Sequence, residues 1–281
     1  MALVRSEVHL QAADHLQEAE IISRFPFVHP SCQQAKLTLV HRAETSVASV
    51  GLQVWPASFL LADYILAHPE LFQDKVGLEL GAGTGLSGLA LSCHSEACYF
   101  TDCEQSLNLL ARNVEANRHL CRADCRLYVR ELDWSKDASE CELSACLEDH
   151  SVLPSPGVGS LGHEEFAWKS EEIAEMQGLD VILASDVIYD DDLTEMFFDK
   201  LLLLMPCPPA RSPTLYIALD KRINFDAERK ESVATSYDTF LKRLESDFTG
   251  SKLSLAFSNS FGMTRSPYLE LWEVRRKKAP G

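Results

Sequence analysis

The run Val76-Gly-Leu-Glu-Leu80, passing at once into Gly81-Ala-Gly-Thr-Gly85, constrains this chain more than any other feature. The first part reads as a short buried strand and the second as a tight turn. Leu86 to Leu91 then reads as a small-residue helix. Gly81 and Gly83 allow backbone conformations and ligand approaches that side chains would block. A strand, a glycine turn and a helix in succession open a parallel α/β sheet, whose ligands bind outside the carboxyl ends of its strands. The same rhythm continues. Strands are expected at Ala97 to Thr101, Cys125 to Arg130, Leu179 to Ala184 and Thr214 to Leu219. Helices are expected at Ser106 to Asn117, Asp192 to Met205 and Glu228 to Phe248, and one carrying Phe59, Leu60, Tyr64 and Ile65 should stop before Pro69. Two closing strands, Lys252 to Phe257 and Tyr268 to Val274, have no long helix between them and should pair antiparallel. The expected fold is a seven-strand, Rossmann-like α/β sheet covered on both faces.

The sheet should occupy residues 51–281, behind an N-terminal extension over 1–50. That extension has weak periodicity; a short helix at Val8 to Ile22 and a strand around Lys36 to His41 are expected. A segment at 135–178 interrupts the rhythm with ten acidic residues against Lys136 and Lys169, a net −8, half of the chain's −16. Its middle reads as a loosely held acidic insert, because so little apolar surface cannot offset the entropy of ordering it. Phe166-Ala-Trp168 and a helix from Glu171 to Met176 are apolar enough to dock back. The acidic balance argues against a phosphate backbone as main partner and suits a basic one.

No apolar run approaches the ~20 residues of a membrane span, and the first twenty residues lack the apolar core of a secretory signal. Nine cysteines, odd in number and irregularly spaced, suit a reducing compartment inside the cell. Cys121 and Cys125, with His119 nearby, could supply half a zinc site, but no second pair at such spacing follows, so no metal is expected.

Four further elements gather chemistry at the strand ends. Asp102 closes the second strand, where a carboxylate can accept both ribose hydroxyls of an adenosine. As an isolated residue it would equally be a strand-end cap. In Glu131-Leu-Asp-Trp134, Asp133 can bond an adenine amino group and Trp134 can stack on it, although core tryptophans are common. Leu183-Ala-Ser-Asp-Val-Ile-Tyr189 ends the fourth strand, with Asp186 and Tyr189 spaced to reach one point. Trp55, in Gln53-Val-Trp-Pro-Ala57, is an aromatic ahead of the glycine loop. Leu86 breaks the dinucleotide pattern G-x-G-x-x-G read from Gly81, and Glu79 is the methyltransferase form of the loop.

Taken in order, Val54-Trp55, Glu79 to Leu86, Asp102, Glu131 to Trp134 and Asp186 to Tyr189 resemble the methyltransferase family 16 lysine methyltransferases over residues from about Gly51 to Val274. The resemblance implies the class I, seven-strand S-adenosylmethionine-dependent fold and a monomeric intracellular enzyme, in nucleus or cytoplasm. It would methylate lysine in a non-histone protein, without direct nucleic-acid or membrane binding. S-adenosylmethionine would be held by Trp55, Glu79, Gly81, Ala82, Gly83, Asp102, Asp133, Trp134 and Ala184, and the target amine by Asp186 and Tyr189. Arg275 to Lys278 could be a nuclear address or a solvated tail. The alternatives are a methyltransferase for RNA or a small molecule, a dinucleotide oxidoreductase, and a non-catalytic S-adenosylmethionine-binding protein.

Overall fold

The structure, a computed structural model, describes residues 3–5, 20–136, 164–206, 212–226 and 231–278. Its centre is a seven-stranded sheet. In chain order the strands are β5 (Val76–Leu80), β6 (Ala97–Asp102), β7 (Arg126–Glu131), β8 (Val181–Ser185), β9 (Thr214–Asp220), β12 (Phe248–Lys252) and β13 (Leu269–Arg276). In space they run β12-β13-β9-β8-β5-β6-β7. β5 pairs parallel with both β6 and β8, while β13 runs antiparallel between β9 and β12. Counted along the sheet this is the order 3-2-1-4-5-7-6 of class I methyltransferases. The order reverses at β5, so the crevice for a ligand opens at the carboxyl ends of β5, β6 and β8.

Helices cover both faces, as the near-continuous burial of β5 and β6 requires. One core packs α1 (Pro56–Ala67), α3 (Leu86–Leu91) and α4 (Glu104–Asn117) against Phe100, Leu183 and Leu271. The other packs α6 (Asp191–Leu204) and α7 (Thr235–Asp247) against Leu78, Ile182 and Ile217. α1 begins with Pro56, pre-set for a first helical position. It is buried continuously from Ala57 to Ile65.

The N-terminal part differs from the expectation. Residues 8–19 of the expected helix lie outside the described residues, and its end is strand. β2 (Glu20–His29) pairs antiparallel with β3 (Cys32–Arg42), and Phe27, Leu37 and Leu39 enter the first core. The free edge of β3 is closed by side chains of α4. Asn113 exchanges two hydrogen bonds with the Val40 backbone and Asn117 two with Thr38, so each amide stands in for a strand neighbour.

Two further expectations shift. The helix expected from Glu228 begins at Thr235, because Glu231–Val233 (β11) forms a hairpin with Asn224–Asp226 (β10). The first closing strand is Phe248–Lys252; Leu253, Leu255 and Phe257 instead pack on the first core as irregular chain. The middle of the acidic insert lies outside the described residues. Its end docks as expected: Phe166, Trp168, Ile173 and Met176 are buried. α5 (Ser170–Met176) ties back through Glu172, which pairs with the buried Arg130. Arg275 and Arg276 belong to β13, and Arg276 pairs with Asp247. Among the described residues no helix is long and apolar enough to cross a membrane.

Candidate active site

The turn after β5 needs its glycines. Gly81 has φ +62° and Gly83 φ +54°, a region that costs other residues dearly. Added Cβ atoms would also collide. At Gly81 one would lie 2.9 Å from Val187 Cγ1 and 3.0 Å from Trp134 Cη2; at Gly83, 2.7 Å from the Gly51 carbonyl oxygen. The loop is therefore walled by Trp134 on one side and by the 3₁₀ segment Val47–Leu52 on the other. The buried Ala82 anchors it by donating its N–H to the Thr101 carbonyl, 2.9 Å away.

Asp102 sits at the tip of β6, 8 % exposed. Its Oδ2 accepts the Gly83 N–H at 2.7 Å and its Oδ1 the Cys103 N–H at 2.8 Å. Burial raises its carboxyl above the usual range, against the pull of those N–H groups and of Ser106. Asp133 accepts both the N–H and the hydroxyl of Ser135 on its Oδ1, a local turn. Trp134 packs edge-to-face on Phe197 at 5.2 Å, and its indole N–H is buried without a hydrogen-bond partner.

Glu79 is placed elsewhere. Strand alternation turns it away from Leu78 and Leu80, under α3, where Oε2 accepts the Gly88 N–H at 3.0 Å. It is 1 % exposed and burial pushes its carboxyl up to about 8. Through that bond it braces the helix behind the loop, and its other oxygen, Oε1, is buried without a hydrogen-bond partner. Ala184 is fully buried in the second core near the end of β8, beside Leu80 of β5 and Ile217 of β9.

At the same strand end Asp186 adopts φ +55°. Its Oδ2 accepts the Ala57 N–H at 3.0 Å, capping α1, and its Oδ1 accepts the Asp220 N–H at 3.2 Å. Arg222 Nη2 is 3.9 Å from Oδ1, and the Asp186 side chain is 2 % exposed. The cap of α6 is a different acid, Asp190, which accepts the Leu193 N–H. Tyr189 is half-buried and lines a cleft with Ile188, Asp220, Arg222, Ser236 and Tyr237. Burial, aided by the charges of Asp102 and Cys103, pushes its phenol up to about 12. Trp55 lies just before α1, with its indole N–H on the Val50 carbonyl at 2.9 Å. Among the described residues there is no cluster of three or more His, Cys, Asp or Glu fit for a metal; Cys121 and Cys125 bond Ser92 and Ser95.

Residues 33–149 match the model of a family described as lysine methyltransferase. The chain is 32% identical over 258 residues to methyltransferase-like protein 22 of Mus musculus, covering 88% of this chain and 61% of that protein. The Homo sapiens counterpart is 32% identical, over 85% of this chain and 57% of its own length. The chain is similar to this lysine methyltransferase family. A second relative, the protein-lysine N-methyltransferase EEF2KMT of Mus musculus, is 28% identical over 63% of this chain and 46% of its own. The chain thus spans about six-tenths of the length of the first curated relatives it matches.

The structure brings Trp55, Gly81, Ala82, Gly83, Asp102, Trp134, Ala184, Asp186 and Tyr189 to one end of the sheet. Three contributors were not among the residues expected from sequence. Gly51 covers the glycine loop, the Ala57 amide holds Asp186, and Arg222 lies over Trp55 with its guanidinium carbon 4.6 Å from the ring centre. Arg222 had a readable signal, since it comes two residues after a strand whose carboxyl end faces the crevice.

Proposed function

We propose that this chain is an S-adenosylmethionine-dependent methyltransferase that methylates the side-chain amine of lysine in a non-histone protein. The observation that carries it is the meeting, at one end of β5, β6 and β8, of a glycine loop, two buried strand-end carboxylates and a half-buried tyrosine in a cleft. The residues fit the cofactor. Gly81 and Gly83 expose backbone where no side chain can stand, Asp102 offers carboxylate oxygens for hydroxyls, and the buried Trp134 N–H lacks an acceptor. Trp55, Gly81, Ala82, Gly83, Asp102, Asp133, Trp134 and the Ala184 main chain would hold it.

When bound, the cofactor supplies a methyl group activated by a sulfonium. The chain's own work lies in orientation and in shedding water. A free lysine is roughly one part in a few thousand neutral at pH 7, about 4–5 kcal/mol against attack. Tyr189 stays a neutral phenol at that pH and serves as a hydrogen-bonding guide for the amine. Asp186, with both oxygens already on backbone N–H groups, organises the acceptor wall, while Asp220 lines the cleft and favours entry of a cationic side chain. The net charge of −16 supports a basic target and weighs against RNA. We infer work as a monomer inside the cell.

The test is incubation of the chain with deuterated S-adenosylmethionine and cell lysate, with and without nuclease, followed by mass spectrometry. Deuteromethyl groups on lysine, unaffected by nuclease, are expected. Label confined to nucleic acid or small molecules would overturn the lysine assignment.

A further inference from the structure

Arg222 stands where the two halves of the crevice meet. Its guanidinium lies over Trp55, carbon to ring centre 4.6 Å, and Nη2 reaches to 3.9 Å from Asp186 Oδ1. It lines the cleft beside Tyr189, whose phenol feels its charge. The contacts close on themselves. Asp186 caps the N-terminus of α1, Trp55 is the residue that leads into α1, and Arg222 joins the indole to the carboxylate from the end of β9. The edge of the indole is tied separately, to the Val50 carbonyl. The arginine side chain is 30% exposed, so it is not there to fill the core. Fixing so flexible a side chain has an entropic cost, and a planar guanidinium recovers more of it than an ammonium by stacking and pairing at once.

We propose that Arg222 is a positioning residue that acts through Trp55, clamping the indole to Asp186 so that the cofactor side and the acceptor side of the crevice are set as one unit. The inference rests on the reading that the crevice binds S-adenosylmethionine, and the test separates the two. Calorimetry with S-adenosylhomocysteine is run on the full chain as wild type, Arg222→Met, Trp55→Leu and the double variant, with Arg222→Lys as the conservative change. Arg222→Met is expected to weaken binding about three- to tenfold, the scale of one cation–π contact. Trp55→Leu should weaken it at least as much, and the double variant no further than Trp55→Leu alone. Arg222→Lys should recover part of the loss. Tryptophan emission should shift in Arg222→Met and not in Arg222→Met on the Trp55→Leu background. Additive losses, or no loss in Arg222→Met, would overturn the clamp while leaving the cofactor reading intact. Equal large drops in melting temperature for Arg222→Met and Arg222→Lys would mark a merely structural role and overturn it too. A wild type that does not bind S-adenosylhomocysteine would sink the cofactor reading, and the clamp with it.

Discussion

Asp186→Asn reads the acceptor wall directly. A helix cap accepts Asn about as well as Asp, and Asn tolerates the left-handed backbone that residue 186 adopts at φ +55°. Judged as a cap alone, the change should be nearly silent. The geometry says otherwise. Oδ2 accepts from Ala57 at 3.0 Å and Oδ1 from Asp220 at 3.2 Å, and both donors are backbone N–H groups. A carboxamide has one acceptor oxygen, so whichever way it is turned its NH₂ confronts one of those N–H groups. Leaving one buried donor without an acceptor costs about 1–3 kcal/mol, and a lost charge-assisted bond stands at the upper end of that range. The pairing with Arg222, at 3.9 Å and on a side chain 30% exposed, adds at most about 1 kcal/mol to that loss. A loss of about 2–3 kcal/mol corresponds to a drop of roughly 4–12 °C in melting temperature for a domain of this size. Thermal unfolding followed by circular dichroism at pH 7 measures it. A variant melting within about 2 °C of the wild type would refute the two-donor account.

Other consequences follow from buried polar contacts elsewhere. Asn117→Leu strips both partners from the Thr38 backbone, and should cost about 1–3 kcal/mol for each group left buried. Hydrogen exchange should then quicken along β3 before the central sheet opens; unchanged protection at Thr38 would contradict the edge-closing role. Arg130→Met leaves Glu172 charged and buried at 3 % exposure, a loss of about 3–5 kcal/mol. Glu172→Gln in the same background should recover part of it, and no recovery would mean the arginine matters for packing alone. Glu79, raised from 4.5 to about 8 by burial, favours its protonated form in the folded state. Its contribution is whole below pH 4.5 and is lost as pH rises toward 8. Melting curves from pH 5 to 8.5 should therefore fall more steeply for the wild type than for Glu79→Gln, and parallel curves would place the Glu79 carboxyl in the ordinary range.

The parts of the fold readable from sequence are those whose reason is local. β5 and the loop after it are contiguous, and α4 and α6 carry their apolar residues at helical spacing. The strand at Glu20–His29 was not readable because its support is remote. Ile21, Ser23 and Phe25 alternate inward only once β3 lies beside them, and β3 itself is held by Asn113 and Asn117, more than seventy positions on. The apolar alternation Leu253, Leu255, Phe257 suggested a strand, but the register with β13 pairs Phe248 with Arg276 and ends at Lys252 with Trp272. In the site, Gly81, Gly83 and Asp102 were legible as a motif. The two donors on Asp186 were not, since Ala57 lies 129 positions away and Asp220 lies 34. Glu79 was read as part of the loop because it adjoins it in sequence. The two-residue period of a strand settles which face such a residue takes, and here it takes the α3 face.

Asp102 and Asp186 share one design, and it limits how their roles can be measured. Each is a buried strand-end carboxylate holding a backbone N–H from another segment of the crevice: the glycine loop at Gly83 for Asp102, the first turn of α1 at Ala57 for Asp186. A buried charge left without such donors would be costly, so the donors hold the acid as much as the acid holds the segment. Removing either carboxylate therefore does two things at once. It deletes an acceptor that a ligand could use, and it frees a segment that walls the same crevice. Loss of binding in Asp102→Ala or Asp186→Ala would follow from either effect and would assign neither residue. The two effects part when stability and affinity are read on the same variant. A freed segment lowers both, whereas a lost ligand contact lowers affinity and leaves the unliganded melting temperature in place. By that criterion Asp186, with two N–H donors and 2 % of its side chain exposed, should behave chiefly as a holder of the α1 start and of the backbone at Asp220. Its substitution should lower the unliganded melting temperature before any ligand is added.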